Sequence, residues 1–193
     1  MAEVVGIVLG AGGSRRLGRP KQTLPLGDTT LLGHAVREAE RSSLDRVVLV
    51  VGAGAEEALA GAAPGRATVA RNDAYGEGCA SSLVAGLDAA GAADAIMLLL
   101  GDMPGVDADV IDAVRDAWEP ERPWAAVTEY RGSPGHPLVF SAAAAPDLRA
   151  LHGDKAVWKL LERHPERFRR VLVDRPLPRD VDTWEDYVAV AGA

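Results

Sequence analysis

Val4–Pro25 reads VVGIVLGAGGSRRLGRPKQTLP, an apolar run that passes directly into a loop of glycines, arginines and one lysine. The run Val4–Leu9 (VVGIVL) has no polar face and is rich in β-branched residues, the pattern of a parallel strand covered by helices on both sides. Its carboxyl end delivers the loop to a crevice, where open α/β sheets bind their ligands. Gly10, Gly12 and Gly13 are expected to let backbone N–H groups approach phosphate oxygens, and Arg15, Arg16, Arg19 and Lys21 add the charge that a bare amide nest lacks. Such a loop suits several negative charges at once. Two better-known glycine loops are excluded by spacing. Lys21 follows Pro20 and precedes Gln22, so the Gly-Lys-Ser/Thr close of a P-loop is missing. The third glycine of a dinucleotide fingerprint would fall at Arg15, and the next strand, Arg46–Val51 (RVVLVV), ends in Gly52 with no acid to hold a ribose.

Outward from this stretch, strands and helices alternate, which predicts an α/β fold of three layers, a Rossmann-like, mostly parallel sheet with helices on both faces. Thr30 is placed to cap a helix through Arg41 with Leu31, Leu32, Ala35, Val36 and Ala39 on its apolar face. A small-residue helix near Glu56–Ala62, a short strand at Ala67–Ala70 and a helix from Ser81 to Ala89 follow. Ala95–Leu100 (AIMLLL) reads as the central strand, running straight into Gly101-Asp102-Met103-Pro104 and then a helix over Ala108–Trp118. From Pro120 to Phe140 the pattern breaks into Pro- and Gly-rich loops around short strands at Ala125–Thr128 and Leu138–Phe140. Two short helices are expected next, Ala142–Leu151 interrupted by Pro146 and Lys155–Arg163, then a strand at Arg169–Val173 and a closing helix at Thr183–Val190. With no repeat or linker, residues 1–193 are expected to form a single domain, a nucleotide half over about 1–105 and an acceptor half over about 106–193.

The composition of the 193-residue chain narrows the classes of partner. With 28 acidic against 21 basic residues the formal net charge is −7, which disfavours a nucleic-acid surface and makes the basic cluster around Arg15–Lys21 stand out. A single cysteine, Cys79, excludes an internal disulfide framework. The chain shows neither a leader pattern nor an apolar run of membrane length, so a cytoplasmic protein without a membrane partner is expected.

Transfer of a nucleotidyl group needs a divalent metal on the triphosphate, positive charge at the α-phosphate and leaving group, and an aligned nucleophile. Asp102, at the end of the central strand, is a candidate magnesium ligand. Asp182, in Asp180-Val181-Asp182-Thr183, is either a second ligand converging on the same Mg2+ or the N-terminal cap of the last helix. Lys21 is the candidate for the α-phosphate and Arg16 for the β- and γ-phosphates. A phosphate monoester acceptor is already ionised at neutral pH and needs no general base. The four histidines form neither a metal spacing nor a Ser-His-Asp pattern. His136, in Gly135-His136-Pro137, is the one placed to touch a substrate phosphate or ring edge. Cys79 is expected to be a small, partly buried residue, and the four tryptophans to belong to core or interface.

Gly12-x-Ser14-x-Arg16-Leu17-Gly18 followed by Arg19-Pro20-Lys21-Gln22 resembles the signature of the nucleotidyltransferases that include the molybdenum cofactor cytidylyl- and guanylyltransferases. The likeness continues in order through Asn72–Leu83 (NDAYGEGCASSL), Gly101-Asp102-x-Pro104, Gly135-His136-Pro137, Gly153-Asp154 and Asp180-Val181-Asp182-Thr183. It is similar to the cytidylyl branch, which has LGAG at Leu9–Gly12, with Ala11 where the guanylyl branch has glycine. What the resemblance implies is a CTP site formed by Leu9, Ala11, Gly12, Gly13, Ser14, Arg16 and Lys21, with Asn72, Ser81 and Ser82 at the cytosine and ribose. Asp102 and Asp182 would hold Mg2+, and Gly135, His136, Pro137 and Asp154 would meet a molybdopterin-type acceptor. The implied reaction joins CMP to the acceptor's terminal phosphate and releases pyrophosphate, with a molybdenum hydroxylase as a transient partner. The chain departs from that pattern at Met103, where glutamine is common, and at Ala156-Val157-Trp158, where Gly-Ala-Arg is usual. The alternatives are a GTP-using or other phosphorylated-acceptor transferase, an NAD(P)H-dependent reductase of the nicotine blue type, and a non-enzymatic carrier of the cofactor.

Overall fold

The computed structural model describes residues 1–12, 17–52 and 54–192. Gly13, Ser14, Arg15 and Arg16, four members of the expected phosphate loop, lie outside the described residues.

In chain order the elements are β1 (Val4–Leu9), β2 (Pro25–Leu26), β3 (Thr29–Thr30), α1 (Leu31–Arg41), β4 (Arg46–Val51), α2 (Ala55–Ala62), β5 (Thr68–Arg71), α3 (Cys79–Ala90), β6 (Ala95–Leu100) and α4 (Ala108–Trp118). They continue as β7 (Ala125–Tyr130), β8 (Ser133–Ser141), α5 (Ala145–Arg149), α6 (Ala156–Arg163), β9 (Phe168–Val173) and α7 (Trp184–Ala191). Seven strands form one sheet in the order β5-β4-β1-β6-β8-β7-β9, and β2 pairs with β3 in a small hairpin. Every pairing in the large sheet is parallel except those made by β8, which runs against both β6 and β7. The expected three-layer, mostly parallel α/β fold is the fold observed.

Burial explains why these runs became strands. Val4, Val5, Ile7 and Val8 in β1 are fully enclosed, and Met97, Leu98 and Leu99 in β6 nearly so. Alternate residues feed two apolar layers. One joins Val8, Leu49 and Met97 to Leu32 and Val36 of α1 and to Val110, Val114 and Trp118 of α4. The other joins Ile7, Val50 and Leu98 to Leu83 and Leu87 of α3, Leu148 of α5 and Leu160 of α6. Fully burying a Leu or Val side chain contributes about 1.5–3 kcal/mol, so a charge placed in β1 or β6 would break the layer that its side chain faces. The helix starts are fixed locally: the Thr30 side chain accepts from Gly33 N at 3.1 Å, and Asp107 accepts from Val110 N at 3.0 Å.

The second half corrects several expectations. The stretch read as loops around two short strands is a hairpin of full-length strands, with a register shift between Val127 and Thr128. Pro134 and Pro137 are tolerated within β8 because the β6 pairing stops at Leu138 and Pro137 falls in the register shift, so neither must donate a ladder hydrogen bond there. Pro146 does not interrupt a helix. It stands in the first turn of α5, where a missing N–H costs nothing. The helix expected at Ser81 begins two residues earlier, at Cys79.

Chain order places β1 at the turning point. The chain winds outward from β1 to β4 and β5, then returns to lay β6 on the other side of β1. The crevice beyond the carboxyl ends of β1 and β6 is therefore the topological switch point, the usual ligand position in such sheets.

Candidate active site

Leu9 and Leu100, the last residues of β1 and β6, are register partners, so their loops leave the sheet side by side. Gly101 N donates to Leu9 O at 3.0 Å and Gly10 N donates to Val50 O at 2.8 Å. The Gly10 amide is thus committed to the sheet and does not face a phosphate, which corrects the expectation for that glycine. Its role is close packing. A Cβ on Gly10 would lie 2.8 Å from Leu32 Cδ1, and one on Gly101 2.5 Å from the same atom. The two loops can leave together because neither glycine carries a side chain over Leu32.

A cavity of about 710 Å3 opens over these strand ends, lined by Leu9–Gly12, Lys21, Gln22, Gly101 and Asp102 on one side and by Tyr75, Gly78, Cys79 and Ser82 on another. Asp154 and Asp182 complete the wall. Lys21 begins a short 3-10 turn, Lys21–Thr23, whose geometry is held by Thr23 N and Leu24 N donating to Pro20 O and Lys21 O. Gln22, 5% exposed, donates from Nε2 to Gly12 O at 2.6 Å and so ties the turn to the glycine loop.

The Lys21 ammonium lies against both expected metal ligands. It donates to Asp182 Oδ1 at 2.9 Å and makes a closer ion pair with Asp102 Oδ2. Asp182 reaches this position because Val181, fully buried, donates its amide to Asp102 O at 2.9 Å. A third apolar cluster of Leu17, Leu24, Leu31 and Val181, packed against Tyr187 and Val190 of α7, supports the same junction. The helix-cap alternative for Asp182 is overturned. Thr183 is the cap of α7, in a reciprocal capping box with Asp186, and Asp182 precedes it.

Burial alone would pull the Lys21 pKa down, but the charges and hydrogen bonds of Asp102 and Asp182 outweigh it and hold the ammonium above the ordinary lysine range. Burial pushes the Asp102 carboxyl above the usual carboxylate range, opposed by Lys21 and reinforced by Asp180 and Asp182. Asp102 Oδ1 is buried and has no hydrogen-bond partner among the described residues. A hard, unpartnered carboxylate oxygen beside a second carboxylate is a donor set that fits a magnesium-like cation, which keeps several waters or phosphate oxygens and needs few protein ligands. No group of three or more His, Cys, Asp or Glu side chains suited to a metal gathers among the described residues, so such an ion would depend on those outside ligands.

The remaining expected residues are distributed unevenly. Ser82 lines the cavity; Asn72, 6% exposed, and Ser81 stand behind it. Asn72 Nδ2 donates to both Ser81 Oγ and Ser82 Oγ at 2.9 Å, and its Oδ1 accepts from Ala74 N at 3.0 Å. The amide therefore fastens the Asn72–Gly78 loop to α3. Asp154 lines the cavity from the second half, and its Oδ1 accepts from Cys79 N at 3.0 Å, capping α3 from 75 residues away. Gly78 makes that approach possible: at φ +105, a Cβ there would lie 2.7 Å from the Gly153 carbonyl carbon. Cys79 is exposed on the cavity wall rather than partly buried, and its thiol pKa is raised by desolvation and by Asp154 and Asp102.

Gly135, His136 and Pro137 are not among the residues that line the cavity. The last β6–β8 pair is Leu98 with Leu138, so the three run on beside the end of β6. His136 is 7% exposed, its ring edge-on to Trp158 at 5.6 Å, and burial lowers its pKa to about 4. Trp118 is a core residue, as expected, and Trp184 is exposed. The sequence reading missed Gln22, Tyr75, Gly78 and Cys79 as cavity residues. All four lie inside the quoted motifs, but only Gly78 carried a local signal, a glycine immediately before a helix.

Residues 6–168 match the MobA-like NTP transferase domain. The chain belongs to this family. Nicotine blue oxidoreductase of Paenarthrobacter nicotinovorans is 30% identical over 190 residues, 94% of this chain and 93% of that protein. Molybdenum cofactor cytidylyltransferase of Escherichia coli strain K12 is 30% identical over 142 residues, 73% of this chain and 71% of that one. Among solved structures, the manganese complex of Rv0371c from Mycobacterium tuberculosis H37Rv is 35% identical, with a TM-score of 0.86 and 99% of each chain covered. As a MobA-like nucleotidyltransferase the protein acts on a nucleoside triphosphate. The family match ends at residue 168, so Asp182 lies on a segment outside it. Among the described residues no helix is long and apolar enough to cross a membrane.

Proposed function

We propose that the protein transfers CMP from CTP to the terminal phosphate of molybdopterin-type molybdenum cofactor, releasing pyrophosphate. The observation that carries this reading is the meeting of Lys21, Asp102 and Asp182 over the ends of β1 and β6, in a cavity large enough for a nucleotide. The nucleotide half, about residues 1–105, binds and activates the triphosphate; the acceptor half, from about 106 on, presents the second phosphate and lends Asp154 and Asp182. An oxygen of the acceptor's phosphate monoester attacks the α-phosphorus. The new P–O bond forms as the bond to the bridging oxygen of the β-phosphate breaks, and that oxygen leaves with pyrophosphate. The nucleophile is already largely ionised at pH 7, so no side chain need remove a proton.

Asp102 and Asp182 would hold Mg2+, whose chemistry when bound is to neutralise the triphosphate and the charge on the leaving group. Lys21 serves the α-phosphate and Arg16 the β- and γ-phosphates, with Gly12, Gly13 and Ser14 supplying loop contacts. In this reading Ala11, which lines the cavity, favours CTP, because its methyl leaves less room for a base than a glycine would. Ser82 meets the ribose or base, with Asn72 and Ser81 positioning it. Gly135, His136 and Pro137 are buried off the cavity, so in this reading they serve the acceptor side by backing Trp158, whose ring His136 meets edge-on, rather than by touching the pterin. The cytidylyltransferase relative supports this choice of substrates.

The test is pyrophosphate release from magnesium CTP with and without molybdenum cofactor. Cofactor-dependent release that is lost in Lys21→Ala supports the reading, and release from GTP alone overturns the choice of base. The relative named nicotine blue oxidoreductase favours a second reading, NAD(P)H-dependent reduction of an oxidised dye. Rapid protein-dependent loss of nicotinamide absorbance with no NTP turnover would replace the first reading by the second.

A further inference from the structure

Lys21 occupies the space between two carboxylates that are placed to share a divalent cation. Its Nζ is 2.9 Å from Asp182 Oδ1 and closer still to Asp102 Oδ2, and only 12% of its side chain is exposed. The carboxylates arrive on separate segments, at residues 102 and 182, and among the described residues the Lys21 ammonium lies between them. Its backbone is fixed: the Pro20–Leu24 turn is hydrogen-bonded internally, and Gln22 pins it to Gly12 O. The long, flexible stem above that anchored turn can therefore swing without the loop moving.

A divalent cation entering alone must settle beside the ammonium against like-charge repulsion, or drive it out of a nearly dry position. A metal bound to a triphosphate brings with it an anion that can receive the ammonium. We propose that Lys21 is an exchangeable internal cation, which neutralises Asp102 and Asp182 before substrate binds and passes to the polyphosphate as the metal takes its place. The proposal rests on the reading of Asp102 and Asp182 as metal ligands. Its consequence is coupling. The nucleotide raises the affinity for metal, and by linkage the metal raises the affinity for nucleotide to the same extent.

The test measures Mn2+ binding to the full chain by the electron paramagnetic resonance signal of the free ion, with circular dichroism as a check of folding. Without nucleotide, Lys21→Gln should bind Mn2+ about tenfold or more tightly than the unaltered protein, and Lys21→Arg, which keeps the charge, should stay near it. Equal or weaker Mn2+ binding by folded Lys21→Gln overturns the proposal. The unaltered protein gives an arm independent of any variant: α,β-methylene analogues of CTP and of GTP, which cannot react, are added in turn. At least one should raise Mn2+ affinity about tenfold or more. Mn2+ affinity unchanged by both also overturns the proposal. Failure of the transferase reading shows separately, as absence of pyrophosphate release while Mn2+ still binds.

Discussion

β6 and β8 are hydrogen-bonded neighbours, and each carries a motif rich in chemical groups, Gly101-Asp102 at the end of one and Gly135-His136-Pro137 within the other. Around Asp102 the structure gathers opposite charges from three segments and leaves one carboxylate oxygen without a partner among the described residues. Around His136 it closes aromatic and backbone groups: Trp158 lies edge-on, and Tyr130 Oη donates to His136 O at 2.6 Å. One region is built to exchange charge and the other to exclude it. In this reading polyphosphate handling and recognition of the second substrate are separate tasks set side by side, and each is exposed to a different kind of perturbation.

The comparison breaks most readily at Asp102. Asp102→Asn removes the charge proposed to hold the metal while keeping the shape, and pyrophosphate release from magnesium CTP should fall by roughly 10^3-fold. A fall of the same size in His136→Gln would show that the two regions are not distinct in kind.

The next effect belongs to His136 and to stability. Its folded pKa, about 4, lies below the ordinary value near 6.5, so between those values the unfolded chain binds more protons than the folded one. Stability from this group is therefore full above pH 6.5 and is lost as pH falls toward 4, by roughly 3 kcal/mol at most. Urea unfolding at pH 7 and pH 4.5 should show a smaller loss in His136→Gln than in the unaltered chain. An identical loss in both would place the acid sensitivity elsewhere.

Smaller again is the contact that joins the halves. Asp154→Ala removes the acceptor for Cys79 N and should cost about 1 kcal/mol of stability and raise the KM for CTP more than it lowers kcat. Asp154→Asn, which can still accept that bond, should recover most of both. If Asn fares as badly as Ala, the carboxylate charge rather than the cap is what matters. Least of all, Thr183→Ala should lower stability by about 1 kcal/mol through the lost cap of α7, with Asp182 still held through Val181.

The first half was legible in the sequence because its elements announce themselves locally. Arg46–Val51, Ala95–Leu100 and Ala108–Trp118 are runs whose bounds follow from apolar periodicity alone, and Thr30 and Asp107 carry side chains that cap. The hairpin β7–β8 was not legible, because Gly and Pro punctuate the first part of β8 and the rest, Leu138–Ser141, is fixed by pairing with β6, about forty residues earlier in the chain. The same limit explains the site. Lys21, Asp102 and Asp182 could be named as chemical candidates, but that one lysine would bridge both carboxylates depends on the Val181 amide finding Asp102 O across 79 residues. The α3 cap was hidden for the same reason, since Asp154 acts on Cys79 only after the two halves meet.

The position of Asp182 has a consequence for how the molecule is made. Every strand of the sheet has left the ribosome once Val173 has, yet one of the two carboxylates against Lys21 follows it in the chain, together with the helix whose Tyr187 and Val190 back Leu17 and Leu24. A nascent chain can thus complete its sheet while holding only half of its acidic pair. A segment made after the sheet's last strand closes the site that β1 opens, so Lys21 meets its second carboxylate only when the chain has run well past Val173.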